Sequence, residues 1–353
     1  VVPADRITFD GDTGGDTPVL PLRALRRLSV DVTVSQRGPA VAASASPWSV
    51  LRAVVSGLPA LEDLCLRSMN EHAPFPPPTL GLRSATVRRL TVDCRIVNWP
   101  VIIRSLDSKP PPASPATACV FPKLEMLALP GAFIRCGDED AAAPLLPLVT
   151  ELCVGGEGPG PDESRELEVA AAALNSAVRL ENLCEEELGL LSGPRIATLA
   201  PCLSHLAVLD VRFSPQPVAL GPLLRMAPVL RSLTLQGDDA SFSESLQHAL
   251  TSADVVEAAQ AHECLSVFAV HAFAAAMNRL PADLLSLVVS AFSGTLREVG
   301  VYRPPSSVAT PMEAPDPWPA GVRLRCSYDT VAPSHRARLL KSGVVDLNDW
   351  LPR

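Results

Sequence analysis

The 353-residue sequence has few lysines and no run of basic residues. Lys109, Lys123 and Lys341 are its only lysines, and the formal net charge at pH 7 is −8. Proteins that bind nucleic acid usually present a positively charged face to the phosphates. This charge pattern therefore argues against DNA or RNA as a partner.

Paired cysteines at metal-binding spacing are also missing. The chain has 9 cysteines, an odd number, and no two of them form a C-x-x-C pair. A disulfide framework normally uses an even number of cysteines, and a zinc ribbon uses closely spaced pairs. We therefore expect reduced thiols in an intracellular protein, cytoplasmic or nuclear, with an organellar interior left open.

Long apolar runs and phosphate-binding loops are absent as well. A membrane-spanning helix needs roughly 20 apolar residues, and the nearest candidate, residues 267–273, is interrupted by His271. The glycines of residues 155–160 are not followed by Lys and Ser or Thr, as a phosphate-binding loop requires. The sequence thus predicts no membrane partner and no nucleotide-phosphate site.

What the sequence has in abundance is a repeated leucine pattern. Leu-x-x-Leu-x-x-Leu-x-Val occupies residues 203–211, and a close copy follows 24 residues later at 227–235. Similar segments recur along the chain at a period typical of a strand followed by a return helix. The third leucine of the pattern, Leu209 in residues 203–211, is the expected strand centre. In the successive segments this place is taken by Leu28, Leu64, Leu90, Leu127, Leu152, Leu180, Leu209, Leu233, Phe268 and Val299.

This pattern resembles leucine-rich-repeat proteins over residues 21–302. Residues 58–66 (LPALEDLCL) and 121–129 (FPKLEMLAL) are similar to repeats of the irregular, F-box-associated type, although the chain contains no F-box itself. The resemblance implies an α/β solenoid with a curved, mainly parallel sheet and helices on its convex side. The Asn or Cys that such repeats carry three residues after the last leucine is mostly replaced, by Thr33, Met69, Arg95, Ala132, Ser214 and Asp238.

The surrounding sequence suggests the remaining organisation. Residues 1–20 form an N-terminal segment or cap, residues 21–302 the solenoid, and residues 303–353 a Pro-rich segment and C-terminal cap. Short strands are predicted at residues 6–9 and 322–326. Helical patterns occupy residues 49–56, 164–173, 185–191, 243–261 and 282–292, with weaker ones at 218–226, which contains Pro222, and at 337–340.

The predicted function is protein–protein recognition without catalysis and without a cofactor. Side chains alternate along a strand, so the residues between the leucines should point to the concave face. The residues predicted to contact a partner there are Asp31, Arg67, Asp93, Asp210, Arg212, Gln236, His271 and Tyr302.

The F-box resemblance implies substrate recognition for a cullin-type ubiquitin ligase. That role requires an F-box upstream of Val1, through which a ligase linker subunit would bind. The sequence begins with Val rather than Met, so an upstream F-box or targeting peptide stays open. The alternative is a structural scaffold subunit of a large multiprotein assembly.

Two short motifs suggest chemistry, and both fit structural interpretations better. Asp10 and Asp12 resemble the start of a phosphatase with an aspartate nucleophile, but Gly14 stands where that family has Thr. An acidic loop is the simpler interpretation, and the phosphatase remains a remote alternative. His262 and Glu263 begin like a zinc-protease helix, but Ser266 replaces the second His. We therefore expect no metal site.

Overall fold

The strands of this protein are built from the repeated leucine pattern. A computed structural model describes residues 7–8, 24–32, 47–68, 82–93, 96–98, 121–129, 133–135, 148–155, 171–172, 174–186, 191, 193–212, 218–237, 241–272, 282–302 and 319–327. The chain divides into two compact units, Val1–Arg179 and Leu180–Arg353.

The first unit contains a parallel sheet whose strands follow one another almost in chain order. Its strands are β1 (Ile7–Thr8), β2 (Arg27–Val32), β3 (Asp63–Ser68), β4 (Arg89–Asp93), β6 (Met126–Leu129) and β8 (Glu151–Gly155). Strands β5 (Ile96–Asn98) and β7 (Phe133–Arg135) form a separate parallel pair. Helix α1 (Pro47–Gly57) connects β2 to β3.

The second unit repeats this arrangement with more helix between the strands. Its parallel strands pair in chain order: β9 (Asn182–Glu186), β10 (Val208–Arg212), β11 (Ser232–Gly237), β12 (Val267–Ala272), β13 (Glu298–Tyr302) and β14 (Arg323–Ser327). The connections contain a 3-10 helix (Gly193–Leu199), α2 (Ala200–Leu203), α3 (Leu220–Met226), α4 (Ser241–Thr251), α5 (Ala253–Ala261) and α6 (Ala282–Ala291).

A repeated backbone contact fixes where each strand begins. The carbonyl of Glu62 accepts hydrogen bonds from the N–H groups of Arg88 and Arg89, at 2.8 and 3.0 Å. The equivalent carbonyl accepts two N–H groups of the following repeat at Arg26, Arg88, Glu125, Glu181, Ala207, Arg231 and Ser266. Because neighbouring repeats within each unit start at the same level, their leucines align and stack into an apolar layer in that unit.

The leucine-bearing side of each strand faces the protein interior. Leu64 and Leu66 are buried in the first unit, and Leu233 and Leu235 are buried in the second. Burying one such side chain contributes about 1.5–3 kcal/mol. In the second unit this side meets the helices, since the ring of Phe268 on β12 lies 5.6 Å from that of Phe292, just after α6. Parallel strands joined by helical returns are the arrangement that the leucine-rich-repeat resemblance predicts.

The predicted alignment of these residues is confirmed with one exception, although each lies second in its strand rather than at the centre. Leu28, Leu64, Leu90, Leu127 and Leu152 are aligned in the first unit, as are Leu209, Leu233, Phe268 and Val299 in the second. Leu180 was predicted to occupy this place in its own repeat, and that prediction was wrong, because the residue that pairs with Leu209 is Leu183. Residues 174, 177, 180 and 183 are all apolar at a spacing of three, so the sequence pattern also fits when shifted by one step.

Most predicted helices are present, with altered limits. Residues 49–56, 218–226 and 282–292 correspond to α1, α3 and α6, and Pro222 lies in the first turn of α3, where proline is tolerated. The predicted helix 243–261 is two helices separated at Ser252, whose Oγ accepts the N–H of Val255. The predicted helix 185–191 was wrong, because Glu185 and Glu186 belong to β9.

The flanking segments also contribute strands. β1 pairs with β2 and β14 pairs with β13, which confirms the short strands predicted at both ends of the repeat region. The division at residues 20 and 302, and the curvature of the sheet, stay predictions. The acidic loop at Asp10 and Asp12, the Pro-rich residues 303–318, the helix predicted at 337–340 and most of that at 164–173 lie outside the described residues.

Candidate partner-binding face

Three neighbouring strands of the first unit present nine aligned side chains on the face opposite the leucines. We call the residues at the strand starts the start row, those in the centre the middle row, and those at the strand ends the end row. The start row is Arg27, Asp63 and Arg89; the middle row is Ser29, Cys65 and Thr91; the end row is Asp31, Arg67 and Asp93. Together these nine residues form the binding face.

The start row is a shielded carboxylate between two exposed guanidinium groups. Asp63 Oδ2 lies 3.0 Å from Arg27 Nε, and Asp63 Oδ1 lies 3.5 Å from Arg89 Nη1. The side chain of Asp63 is 13% exposed, whereas those of Arg27 and Arg89 are 50% and 37% exposed. Burial raises the pKa of Asp63, outweighing the two arginines that lower it.

The end row has the opposite order of charges. Arg67 lies between Asp31 and Asp93 in the strand register, and its Nε is 3.6 Å from Asp93 Oδ2. The Arg67 side chain is 12% exposed and that of Asp93 is 30% exposed. At 3.6 Å the contact is an ion pair without a hydrogen bond, and Arg67 Nε is buried with no hydrogen-bond partner in the described part of the chain.

The middle row consists of small side chains that form a shallow floor. Ser29 is buried, whereas Cys65 and Thr91 are partly exposed. Burial raises the pKa of the Cys65 thiol, despite the opposing influence of Arg67 and a hydrogen bond with Ser29. Outside this face, in α2 of the second unit, burial raises the pKa of the Cys202 thiol to about 12. Because the thiolate is the reactive form of cysteine, neither residue is a good nucleophile.

The predicted contact residues of the second unit are aligned as expected, but two of them, Asp210 and Gln236, are buried. Arg212, Gln236, His271 and Tyr302 occupy one register row across β10 to β13. Gln236 is 1% exposed and Asp210 0% exposed, and Gln236 Nε2 donates to Asp210 Oδ1 at 2.5 Å. These two residues therefore join adjacent strands inside the protein, which places them out of a partner's reach.

The buried contact between Asp210 and Gln236 predicts a measurable loss of stability on mutation. Asp210→Ala should lower the free energy of unfolding by about 2 kcal/mol, because it leaves a buried amide donor without its acceptor. Asp254→Ala is the matched control, since its ion pair with Arg225 is exposed and contributes at most about 1 kcal/mol. Urea unfolding of both variants checks this, and equal losses would contradict the prediction.

His262 takes a structural place in the second unit. It occupies the first position of the leucine pattern, where other repeats have Leu203 or Ala227. The buried ring donates from Nε2 to the carbonyl of Ala227 at 2.9 Å, and Nδ1 accepts the N–H of Leu265 at 3.2 Å. Among the described residues no group of three or more His, Cys, Asp or Glu could hold a metal ion.

The start row was not predicted from the sequence, because the contact residues predicted on these three strands, Asp31, Arg67 and Asp93, all belong to the end row. A signal was present in the sequence: consecutive repeats carry the like-charged pairs Arg26-Arg27, Glu62-Asp63 and Arg88-Arg89 at the same position. The sign alternates from strand to strand, and Arg88 Nη1 reaches Glu125 Oε1 at 2.9 Å. Opposite charges side by side favour this register of the strands.

No helix in the described portion combines the length and the apolar character required to cross a bilayer. Comparison with protein-family models gives no match, and comparison with curated proteins gives none either. Among solved structures, the chain is similar to one described as the crystal structure of a TLR13–ssRNA13 complex, with 18% sequence identity and a TM-score of 0.42. The similarity covers 80% of this chain and 40% of that chain. The fold described above rests on this chain's own strand pairing and register.

Proposed function

We propose that this protein recognises a protein partner, without catalysis, through the binding face on β2, β3 and β4. The observation that carries the proposal is the alignment of nine alternating side chains, with four charged groups of the outer strands partly or largely exposed around a floor of small residues. A surface of fixed charges on regular strands suits recognition, because it gives specificity with little reorganisation on binding.

The charge of the face favours protein over nucleic acid as the partner. The start row carries one net positive charge, and the end row carries one net negative charge. A phosphate backbone would gain little from the first row and would be repelled by the second. A protein surface can present both signs at once, and the chain's net charge of −8 agrees with that choice.

Two more specific roles remain proposals. In the first, the protein recognises substrates for a cullin-type ubiquitin ligase, supported by the similarity of residues 58–66 and 121–129 to F-box-associated repeats. In the second, it is a scaffold subunit of a large assembly. The first role predicts a linker and a cullin among its partners, whereas the second predicts a stable set of other subunits. The phosphatase alternative at Asp10 and Asp12 has no support from the described residues.

Affinity purification followed by mass spectrometry tests the proposal. Arg27→Glu with Arg89→Glu places three negative charges in the start row, at two exposed positions, and should remove the specific partner, with at least about a tenfold loss of captured protein. Arg225→Glu changes an exposed arginine on α3 and should leave capture unchanged. Partner capture that survives the double change in a folded variant, checked by circular dichroism, would contradict the proposed face. Ligase linker and cullin subunits captured with the natural protein, including any residues that precede Val1, would support the first role, and their absence from that sample would exclude it.

A further inference from the structure

The exposed charges of the binding face are segregated, although each row is mixed. In the start row the shielded central charge is Asp63, so a partner meets the positive groups of Arg27 and Arg89. In the end row the side chain of Arg67 is less exposed than that of Asp93. A partner therefore meets the carboxylate of Asp93 on one side of Arg67, with Asp31 aligned on the other. The face therefore has a positive end and a negative end.

The distance between these ends follows from strand geometry. Start-row and end-row residues of one strand are four positions apart, which corresponds to about 13 Å at 3.3 Å per residue. Across the strands, three neighbours span about 10 Å. The face is thus long enough for five residues of an extended chain, and its floor of Ser29, Cys65 and Thr91 lets a backbone approach closely.

We propose that the face binds an extended protein segment with an acidic residue four positions from a basic one. This inference rests on the proposed function and adds the chemistry of the partner. The acidic side chain lies over Arg27 and Arg89, and the basic side chain lies over Asp31 and Asp93. A helix would need about nine residues to span 13 Å, so it would require a different spacing of charges.

Peptide binding to the full-length chain tests this spacing. The probe is a labelled, end-blocked peptide in which Asp and Lys are separated by three uncharged residues, measured by fluorescence anisotropy at low salt. A peptide of identical composition with Asp and Lys adjacent is the matched control. We expect the spaced peptide to bind about tenfold more tightly, because only it reaches both ends of the face. Salt should reduce that difference.

Variants of the protein separate the two ends of the face. Asp31→Asn with Asp93→Asn should abolish the preference for the spaced peptide, and Arg225→Gln should preserve it. A spaced peptide with Lys in place of Asp should lose binding to the wild type. Equal binding of spaced and adjacent peptides, or tighter binding of a helical peptide with charges nine residues apart, would overturn the inference. Loss of partner capture in the variant with Arg27→Glu and Arg89→Glu would then still support the proposed function.

Discussion

Replacing Phe268 by alanine is expected to lower the free energy of unfolding by about 3–5 kcal/mol. Phe268 is 0% exposed and is the second residue of β12, aligned with Leu233 and Val299 on the neighbouring strands. Its ring packs against Phe292 after α6, with centroids 5.6 Å apart. Truncation removes both the transfer free energy of the ring and its contacts, and it leaves a cavity between strand and helix.

Phe268→Leu is the natural control, because most other repeats have leucine at this position. It keeps an apolar side chain of nearly sufficient volume and should cost less than about 1.5 kcal/mol. Urea unfolding followed by circular dichroism measures both variants. If alanine cost no more than leucine at position 268, this position would not be part of the close-packed interior described here.

The second large effect is expected at His262. His262→Ala removes the group that joins Ala227 to the turn before β12, and it leaves the N–H of Leu265 without its acceptor, whereas the Ala227 carbonyl keeps the N–H of Leu230. An unsatisfied buried donor costs about 1–3 kcal/mol, and the loss of the buried ring adds a cavity, so the free energy of unfolding should fall by about 2–4 kcal/mol. Thermal and urea unfolding provide the measurement.

Two further variants make the His262 prediction specific. His205 lies exposed in another turn that precedes a strand, so His205→Ala should leave stability within about 0.5 kcal/mol of the wild type. His262→Asn should recover part of the loss, because an asparagine oxygen can accept a nearby backbone N–H as Nδ1 does. Identical losses for alanine at 205 and 262 would show that the hydrogen bonds of His262 contribute nothing.

The strand register could be predicted because the leucine pattern and the backbone use the same period. Leucines repeated three and two residues apart can all be buried only if successive strands begin at the same level, as the paired N–H contacts to Arg26, Glu62 and Arg88 show. Where apolar residues continued at a spacing of three, between Leu174 and Leu183, the pattern fitted more than one alignment. There the prediction of Leu180 was wrong by one step.

The binding face could be predicted only in part, because the solvent exposure of a side chain depends on its neighbours in the folded protein, which the sequence of one strand does not specify. Alternation correctly placed Asp31, Arg67 and Asp93 together, since parity along a strand is a local property. It also placed Asp210 and Gln236 on the corresponding side in the second unit, where both are buried and hydrogen-bonded. No local pattern distinguishes an open face from a covered one.

The sequence by itself determined the strand segments, the residues that fill the interior and the helical returns, because those follow from periodicity along one segment. The parallel pairing of the strands was implied by the resemblance to leucine-rich repeats. Only the tertiary structure decided which charges are shielded, as Asp63 and Arg67 are, and which polar groups are satisfied inside, as His262 is. These contacts join residues 26 to 36 positions apart, and their strength depends on distance and burial, neither of which a linear pattern specifies.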